Sequence, residues 1–167
     1  LTSVIVPPLC YFEPNMSSLA VVERVLKEEG EALLFASNQL KENSAVQAEV
    51  QNVLDLLNST LKQGGRIAVS GVGKSGKIAD KIASTLNSLG LPALFLHSTE
   101  ALHGDLGAIR PIDTVWAISQ SGRSSELLTL ASHLAERKIS WIAMTGDRNS
   151  PLADGAAGLI FTTTPLS

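Results

Sequence analysis

The sequence has very little cysteine: Cys10 is the single thiol among 167 residues. One thiol cannot form an internal disulfide, and an isolated cysteine does not indicate a metal site. A chain without disulfides is typical of a reducing compartment, so we expect this protein in the cytoplasm.

Long apolar runs and an excess of basic charge are also missing. The longest apolar runs fall short of the roughly 18 residues that a membrane-spanning helix requires. The net charge is −3 at pH 7, which gives no general attraction to nucleic acid or to an anionic membrane. We therefore expect neither as a partner, and any anion that the protein binds must be held by local groups.

The beginning of the chain lacks the pattern of a secretory leader. Residues 1–15 are apolar and contain several prolines, and no basic residue precedes their apolar stretch. We expect an extension over residues 1–15 and a single domain over residues 16–167. Hydrophobic residues make up 44% of the chain and charged residues 17%, a composition that suits one compact core.

The apolar periodicity predicts helices first and then alternating strands and helices. From Ser17 to Lys62 apolar residues recur every three or four positions, with a second helix over Ala45–Leu61. The predicted strands are Arg66–Ser70, Ala93–His97, Thr114–Ser119, Ser140–Thr145 and Gly158–Phe161. The helices predicted between them are Ser75–Leu89, Ser124–Arg137 and a brief one at Ser150–Gly155. Apolar strands separated by helices predict a doubly wound α/β domain with a five-stranded parallel sheet and an N-terminal helical pair.

A glycine-rich loop follows the first predicted strand, with the sequence Ser70-Gly71-Val72-Gly73-Lys74-Ser75-Gly76-Lys77. Its backbone N–H groups and the following helix N-terminus suit an anion, and Lys74 adds a full charge. A nucleotide loop and a tight turn without a ligand remain as alternatives. The dinucleotide pattern would need an acid near His97, and the Walker pattern would need Ser or Thr where Ile78 stands.

A serine-rich loop follows the third predicted strand, with the sequence Ser119-Gln120-Ser121-Gly122-Arg123-Ser124-Ser125-Glu126. Hydroxyl and backbone donors that converge at the start of a helix suit a phosphate monoester. Helix capping is the alternative interpretation, with Ser121 or Ser124 as the cap and Glu126 near the third position. Capping can also be part of a phosphate-binding arrangement.

Together these stretches resemble the sugar isomerase (SIS) domain family, and within it the D-arabinose 5-phosphate isomerases. The matching stretches are Gly71–Gly76, His97–Gly107, Ile118–Glu126 and Thr145-Gly146, and the run from His103 to Gly107 is the most specific. The resemblance implies a flavodoxin-like sheet and the interconversion of an aldose phosphate and a ketose phosphate. It also implies that no cofactor or metal is needed, and that the protein forms a homo-oligomer, a dimer or a tetramer.

The resemblance assigns roles to residues of both loops. Lys74 and His103 would assist ring opening and stabilise an enediolate oxygen, and Glu126 would move a proton between C2 and C1. The residues expected to bind the substrate and its phosphate are Gly73, Ser75, Ser119, Gln120, Ser121 and Ser124.

The other titratable residues near these stretches are weaker candidates. His97 is better explained as a strand-end residue, and His133 as a residue on a helix surface. Asp105 fits a substrate ligand and a turn cap equally well.

The chain departs from the family pattern at three places. Ser98-Thr99 follows the histidine of the second strand, where the family usually has Pro-Gly or Pro-Ala, and Arg123 stands where the family commonly has Glu or Lys. In the family, the fifth strand is followed by a glutamate, a long helix and a histidine, and many relatives also have CBS domains. We expect no counterpart of these features in the sequence up to Ser167. We therefore expect an uncovered face near the first two strands that a partner or a second subunit buries. A non-catalytic sugar-phosphate sensor and a nucleotide-binding module remain as alternatives to an isomerase.

Overall fold

A computed structural model describes residues 17–162 of the chain. These residues divide into two compact units, one up to Ser44 and one over Ala45–Thr162. The extension predicted over residues 1–15 lies outside the described residues. The boundaries predicted for the single domain stay a prediction.

The first unit contains one long helix, α1, over Ser18–Glu42. Ser17 caps its start, because the serine hydroxyl accepts a hydrogen bond of 3.2 Å from the backbone N–H of Ala20. Its other end is closed by the backbone N–H of Asn43, which donates to the carbonyl of Gln39 at 3.0 Å.

The second unit is the predicted α/β fold. Its elements are α2 (Ser44–Lys62), β1 (Ile67–Gly71), α3 (Lys74–Ser88), β2 (Ala93–His97), α4 (Ser98–Leu102), a 3₁₀ helix (Asp105–Ala108), β3 (Thr114–Ile118), α5 (Ser125–Glu136), β4 (Ser140–Thr145) and β5 (Gly158–Phe161). The strands are all parallel, in the order β2-β1-β3-β4-β5. This topology confirms the predicted five-stranded, doubly wound sheet.

Two local predictions are wrong. The helix predicted at Ser150–Gly155 is a series of turns, because the N–H of Leu152 donates to the carbonyl of Gly122 instead of to its own segment. Conversely, α4 and the 3₁₀ helix occupy a stretch for which we predicted no helix. They are too short to produce a helical periodicity.

Each strand sends alternate side chains to opposite faces of the sheet, and helices cover both faces. On one face Ala68, Val115 and Ala143 pack with Leu127, Leu130 and Leu134 of α5. On the other face Ile67 and Val69 pack with Ala79 and Ala83 of α3 and with Leu57 and Leu61 of α2. β1 is buried along its whole length, whereas the first three residues of β2 are half-buried. The apolar surface left exposed near these two strands therefore lies on β2 and on α3 and its end, where Ile78 and Leu89 are exposed, and not on β1.

At the amino end of the sheet, the buried carboxylate of Asp113 links β1 to β3. It accepts hydrogen bonds from the backbone N–H groups of Arg66 (2.8 Å) and Arg110 (2.9 Å) and pairs with both guanidinium groups, at 3.1 and 2.8 Å. Burial alone would raise the pKa of Asp113. The hydrogen bonds from Arg110 and Arg66 outweigh burial and hold that pKa well below its usual range.

Candidate functional site

The strands end together at the carboxyl edge of the sheet. Gly71 of β1 is in register with His97 of β2 and with Ile118 of β3. Because paired strands lie about 4.8 Å apart, the loops that follow these three strands are neighbours. Ligands of doubly wound proteins bind at this edge, where strands lead into helix N-termini.

The glycine-rich loop joins β1 to α3. A Cβ on Gly71 would lie 2.7 Å from the backbone of Ser75, and a Cβ on Gly76 would lie 2.9 Å from the carbonyl oxygen of Gly71. These two glycines are therefore required by the close contact between strand and helix, which needs no ligand. Gly73 differs from them, because a Cβ there would meet open space and its φ of +57° is what favours glycine. It stands at the N-cap position of α3, beside the exposed side chain of Lys74.

The serine-rich loop joins β3 to α5. The hydroxyl oxygens of Ser119 and Ser124 lie 3.1 Å apart, and Ser119 Oγ also accepts a hydrogen bond of 3.1 Å from the N–H of Gly122. Ser121 Oγ accepts from the N–H of Arg123 at 3.2 Å. The capping interpretation is thus wrong for the side chains: Ser124 occupies the N-cap position, but its hydroxyl pairs with Ser119 rather than with the N–H groups of α5.

Glu126 lies in the first turn of α5 and is half-buried. Hydrogen bonds from its own backbone N–H and from the hydroxyl of Ser125 (3.0 Å) lower the pKa of its carboxyl. The group is therefore ionised at neutral pH and can accept a proton.

The third loop at this edge follows β2. Ala101 and Leu106 are buried in the core and anchor α4 and the 3₁₀ helix, while His103 between them is exposed. Asp105 is also exposed, at the start of the 3₁₀ helix. The ring of His97 packs edge-on against Phe95, with centroids 6.0 Å apart.

Each of the three predicted catalytic residues stands at a helix end on this edge. Lys74 opens α3, His103 follows the last residue of α4, and Glu126 is the second residue of α5. α4 packs against α5, so His103 and Glu126 lie on adjacent elements. His133 lies near the other end of α5, where it pairs with Glu136 at 3.3 Å. The fold thus brings an ammonium, an imidazole and a carboxylate to one edge and leaves His133 away from it.

A fourth segment at this edge was given no role by sequence reasoning. The carbonyl of Gln120 accepts hydrogen bonds from the N–H of Gly146 (2.9 Å) and the hydroxyl of Thr145 (3.4 Å). The guanidinium of Arg123 pairs with the carboxylate of Asp147 at 2.9 Å. The connection after β4 therefore supports the serine-rich loop. Two signals pointed to it, the match of Thr145-Gly146 to the family and the unusual Arg123.

The structure gives little support to other kinds of site. Residues 17–162 contain no group of three or more His, Cys, Asp or Glu side chains arranged to hold a metal ion. None of the helices in this described part of the chain is long and apolar enough to cross a membrane. An open cavity of about 570 Å³ is lined by Arg148, Asn149, Ser150, Pro151, Ala153, Asp154 and Gly155, whereas the predicted site residues lie elsewhere.

Comparison with known proteins identifies relatives of this fold. Residues 60–165 match the SIS domain family. Arabinose 5-phosphate isomerase GutQ of Escherichia coli K12 is 42% identical over 136 residues, which cover 78% of this chain and 42% of GutQ. The chain thus spans about two fifths of the length of the curated relatives it matches. The structure of E. coli CFT073 c3406 in complex with arabinose 5-phosphate is 31% identical, with a TM-score of 0.74, and the match covers 89% of this chain and 76% of c3406.

Proposed function

This chain belongs to the SIS domain family, and from that premise we propose that it binds a phosphorylated sugar and interconverts its aldose and ketose forms. The substrate proposed is D-arabinose 5-phosphate and the product D-ribulose 5-phosphate. The name of GutQ and the arabinose 5-phosphate bound by c3406 support this choice of sugar.

The observation that carries the proposal is the hydroxyl pair of Ser119 and Ser124 at the start of α5. The pair draws the N-cap serine away from the helix N–H groups, which are then available to an anion. Gln120 and Ser121 belong to the same loop, and Gly73 and Ser75 lie at the start of α3. With a net charge of −3 on the whole chain, the phosphate must be held by these local donors.

Lys74, His103 and Glu126 supply the groups that an enediol mechanism requires. In the open-chain aldose, the carboxylate of Glu126 removes the proton from C2, and the C2–H electrons form the C1–C2 double bond of an enediolate. The ammonium of Lys74 and the imidazole of His103 stabilise the charge that develops on O1. Transfer of the C2 hydroxyl proton to O1 and return of the abstracted proton from Glu126 to C1 yield the ketose. Atoms and electrons balance within the substrate, so no redox cofactor takes part.

We propose further that the protein acts as a homo-oligomer. Leu19, Leu26, Leu33 and Leu40 of α1 follow one another at intervals of seven residues, and all four side chains are exposed. A seven-residue repeat of leucines is typical of a helix that pairs with another helix. A second copy of α1 is a suitable partner for this stripe.

The function is tested by mixing the purified protein with arabinose 5-phosphate, following ribulose 5-phosphate formation and recording Tm with and without the sugar. D-arabinose without phosphate is the control ligand. Turnover together with a raised Tm for the phosphorylated sugar alone supports the isomerase. A raised Tm without turnover contradicts the isomerase and favours the non-catalytic sensor. The absence of both turnover and a Tm shift contradicts both the isomerase and the sensor.

A further inference from the structure

The segment Ser119–Ser124, named here the phosphate loop, is held by its carbonyl oxygens from one side. The carbonyl of Gln120 accepts from the N–H of Gly146, and that of Gly122 accepts from the N–H of Leu152 at 3.1 Å. A planar trans peptide points its N–H opposite to its C=O. The N–H of Ser121, which follows Gln120, is therefore directed away from the connection after β4 and toward the open side of the loop.

The side chains of Arg123 and Asp147 add an ionic contact to this support. One carboxylate oxygen of Asp147 lies 2.9 Å from Arg123 Nη2, and the other accepts the N–H of Asn149 at 2.9 Å. The N–H of Asp147 donates to the hydroxyl of Thr145 at 3.2 Å, and that hydroxyl donates to the carbonyl of Gln120. Asp147 is thus tied to the phosphate loop by two routes.

The pair also decides where the Arg123 guanidinium goes. Arg123 belongs to the phosphate loop. Without an ion-pair partner, its guanidinium would be able to contact another anion and displace the loop. Both partners are partly exposed, at 59% for Arg123 and 37% for Asp147. An exposed ion pair contributes little to folding stability, so its loss is expected to leave the fold intact.

We propose that Asp147 is a positioning residue. It holds Arg123, and through Arg123 it keeps the phosphate loop in the conformation that receives the phosphate. The inference rests on the function proposed above, because it concerns how that phosphate is bound. Asp147 itself touches neither the sugar nor the reacting atoms.

The test measures arabinose 5-phosphate and inorganic phosphate binding by calorimetry, together with KM, kcat and Tm. Asp147→Asn is expected to raise Kd and KM by about two- to fivefold, with kcat changed less than KM and Tm nearly unchanged. Asp147→Glu is expected to recover most of the affinity. Asp154→Asn is the matched control, since Asp154 is an exposed carboxylate on the same connection.

Arg123→Gln distinguishes positioning from direct contact. If Asp147 acts through Arg123, then Arg123→Gln has the same effect as Asp147→Asn, and the double variant is no worse than either one. A much larger loss for Arg123→Gln than for Asp147→Asn would overturn the inference, because Arg123 would then bind the phosphate itself. Unchanged affinity in a folded Asp147→Asn, or in Asp147→Ala, would overturn it as well. A wild type that binds neither probe would instead contradict the proposed function, and this inference with it.

Discussion

The hydroxyl oxygens of Ser119 and Ser124 lie 3.1 Å apart and join the end of β3 to the start of α5. In most helices a serine at the N-cap position uses its hydroxyl to accept a hydrogen bond from a backbone N–H of the first turn. In this chain the N-cap serine turns back to the strand. Its hydroxyl therefore belongs to the candidate phosphate site more than to the helix.

This geometry predicts a separation of binding from stability in Ser124→Ala. Loss of one hydrogen bond to a charged phosphate is expected to weaken arabinose 5-phosphate binding by about 10- to 100-fold. The free energy of unfolding is expected to fall by less than about 1 kcal/mol, because the variant loses no cap bond. Calorimetry and urea unfolding measure the two effects.

Ser132→Ala is the matched control for this variant. Ser132 lies on the exposed side of α5, and its hydroxyl donates to the carbonyl of Leu128. Its replacement is expected to leave binding unchanged. Normal binding in Ser124→Ala together with a clear loss of stability would contradict the assignment and restore the capping interpretation.

Glu126 is predicted to be required for turnover and not for binding. Glu126→Gln keeps the size of the side chain and removes the proton acceptor, so kcat is expected to fall by about 10²- to 10⁴-fold while Kd changes little. Because hydrogen bonds lower the pKa of Glu126, the wild-type carboxylate stays ionised to a lower pH than an ordinary glutamate. The loss of kcat that accompanies protonation of Glu126 is therefore expected at a lower pH than an ordinary glutamate would give.

The control for Glu126→Gln is Glu136→Gln, at the opposite end of the same helix. That exposed carboxylate is expected to be dispensable for turnover. Full activity in a well-folded Glu126→Gln protein would remove Glu126 from the mechanism and leave His103 as the proton-transfer group to test.

The carboxylate of Asp113 is predicted to stabilise the fold in a pH-dependent way. Asp113→Asn breaks the buried contacts with Arg66 and Arg110, which is expected to lower the free energy of unfolding by roughly 3 kcal/mol at pH 7. The folded-state pKa of Asp113 is depressed. Its contribution is therefore fully present above the unfolded-state pKa of about 3.9 and is lost as pH falls toward the folded-state pKa.

Urea unfolding of wild type and Asp113→Asn at several pH values measures this difference. The gap is expected to be wide at pH 7 and to narrow below about pH 4. Asp80→Asn on α3 is the control, since Asp80 is exposed and its loss is expected to change stability by less than about 0.5 kcal/mol. A gap that stayed constant down to pH 2 would contradict the depressed pKa.

The sequence predicted most of the sheet because its strands are buried on both faces. A fully buried strand such as β1 leaves a continuous apolar run, and the glycine-rich and serine-rich loops mark where β1 and β3 end. Short elements escaped prediction because one turn of helix shows no periodicity, as in α4. The turns after Ser150 were mistaken for a helix because the bond from Leu152 to Gly122 is a tertiary contact.

The candidate site also has a part that the sequence predicted and a part that it did not. Its serines and Lys74 lie in runs that composition alone can identify. The contact that supports the phosphate loop cannot be identified in this way. Arg123 and Asp147 are 24 residues apart and meet only because β3 and β4 pair. Each of the two residues, taken alone, is an ordinary charged loop residue.

The contact between Gly122 and Ser150 supplies the last prediction. Gly122 has φ +61°, and a Cβ placed on it would lie 2.1 Å from Ser150 Oγ. Ser150 is buried, so it cannot move aside freely. Gly122→Ala is therefore expected to displace the phosphate loop from the connection after β4. Phosphosugar affinity should fall by at least about tenfold, and the free energy of unfolding should fall by about 1–3 kcal/mol.

Gly107→Ala provides the comparison, because a Cβ there meets open space among the described residues. It is expected to bind arabinose 5-phosphate like the wild type, although Gly107 belongs to the family-like run after His103. Calorimetry and urea unfolding of the two variants measure the contrast. If Gly122→Ala bound as tightly as Gly107→Ala, the close contact with Ser150 would not be what holds the loop in place, and the hydrogen bonds to Gln120 and Gly122 would have to do so alone.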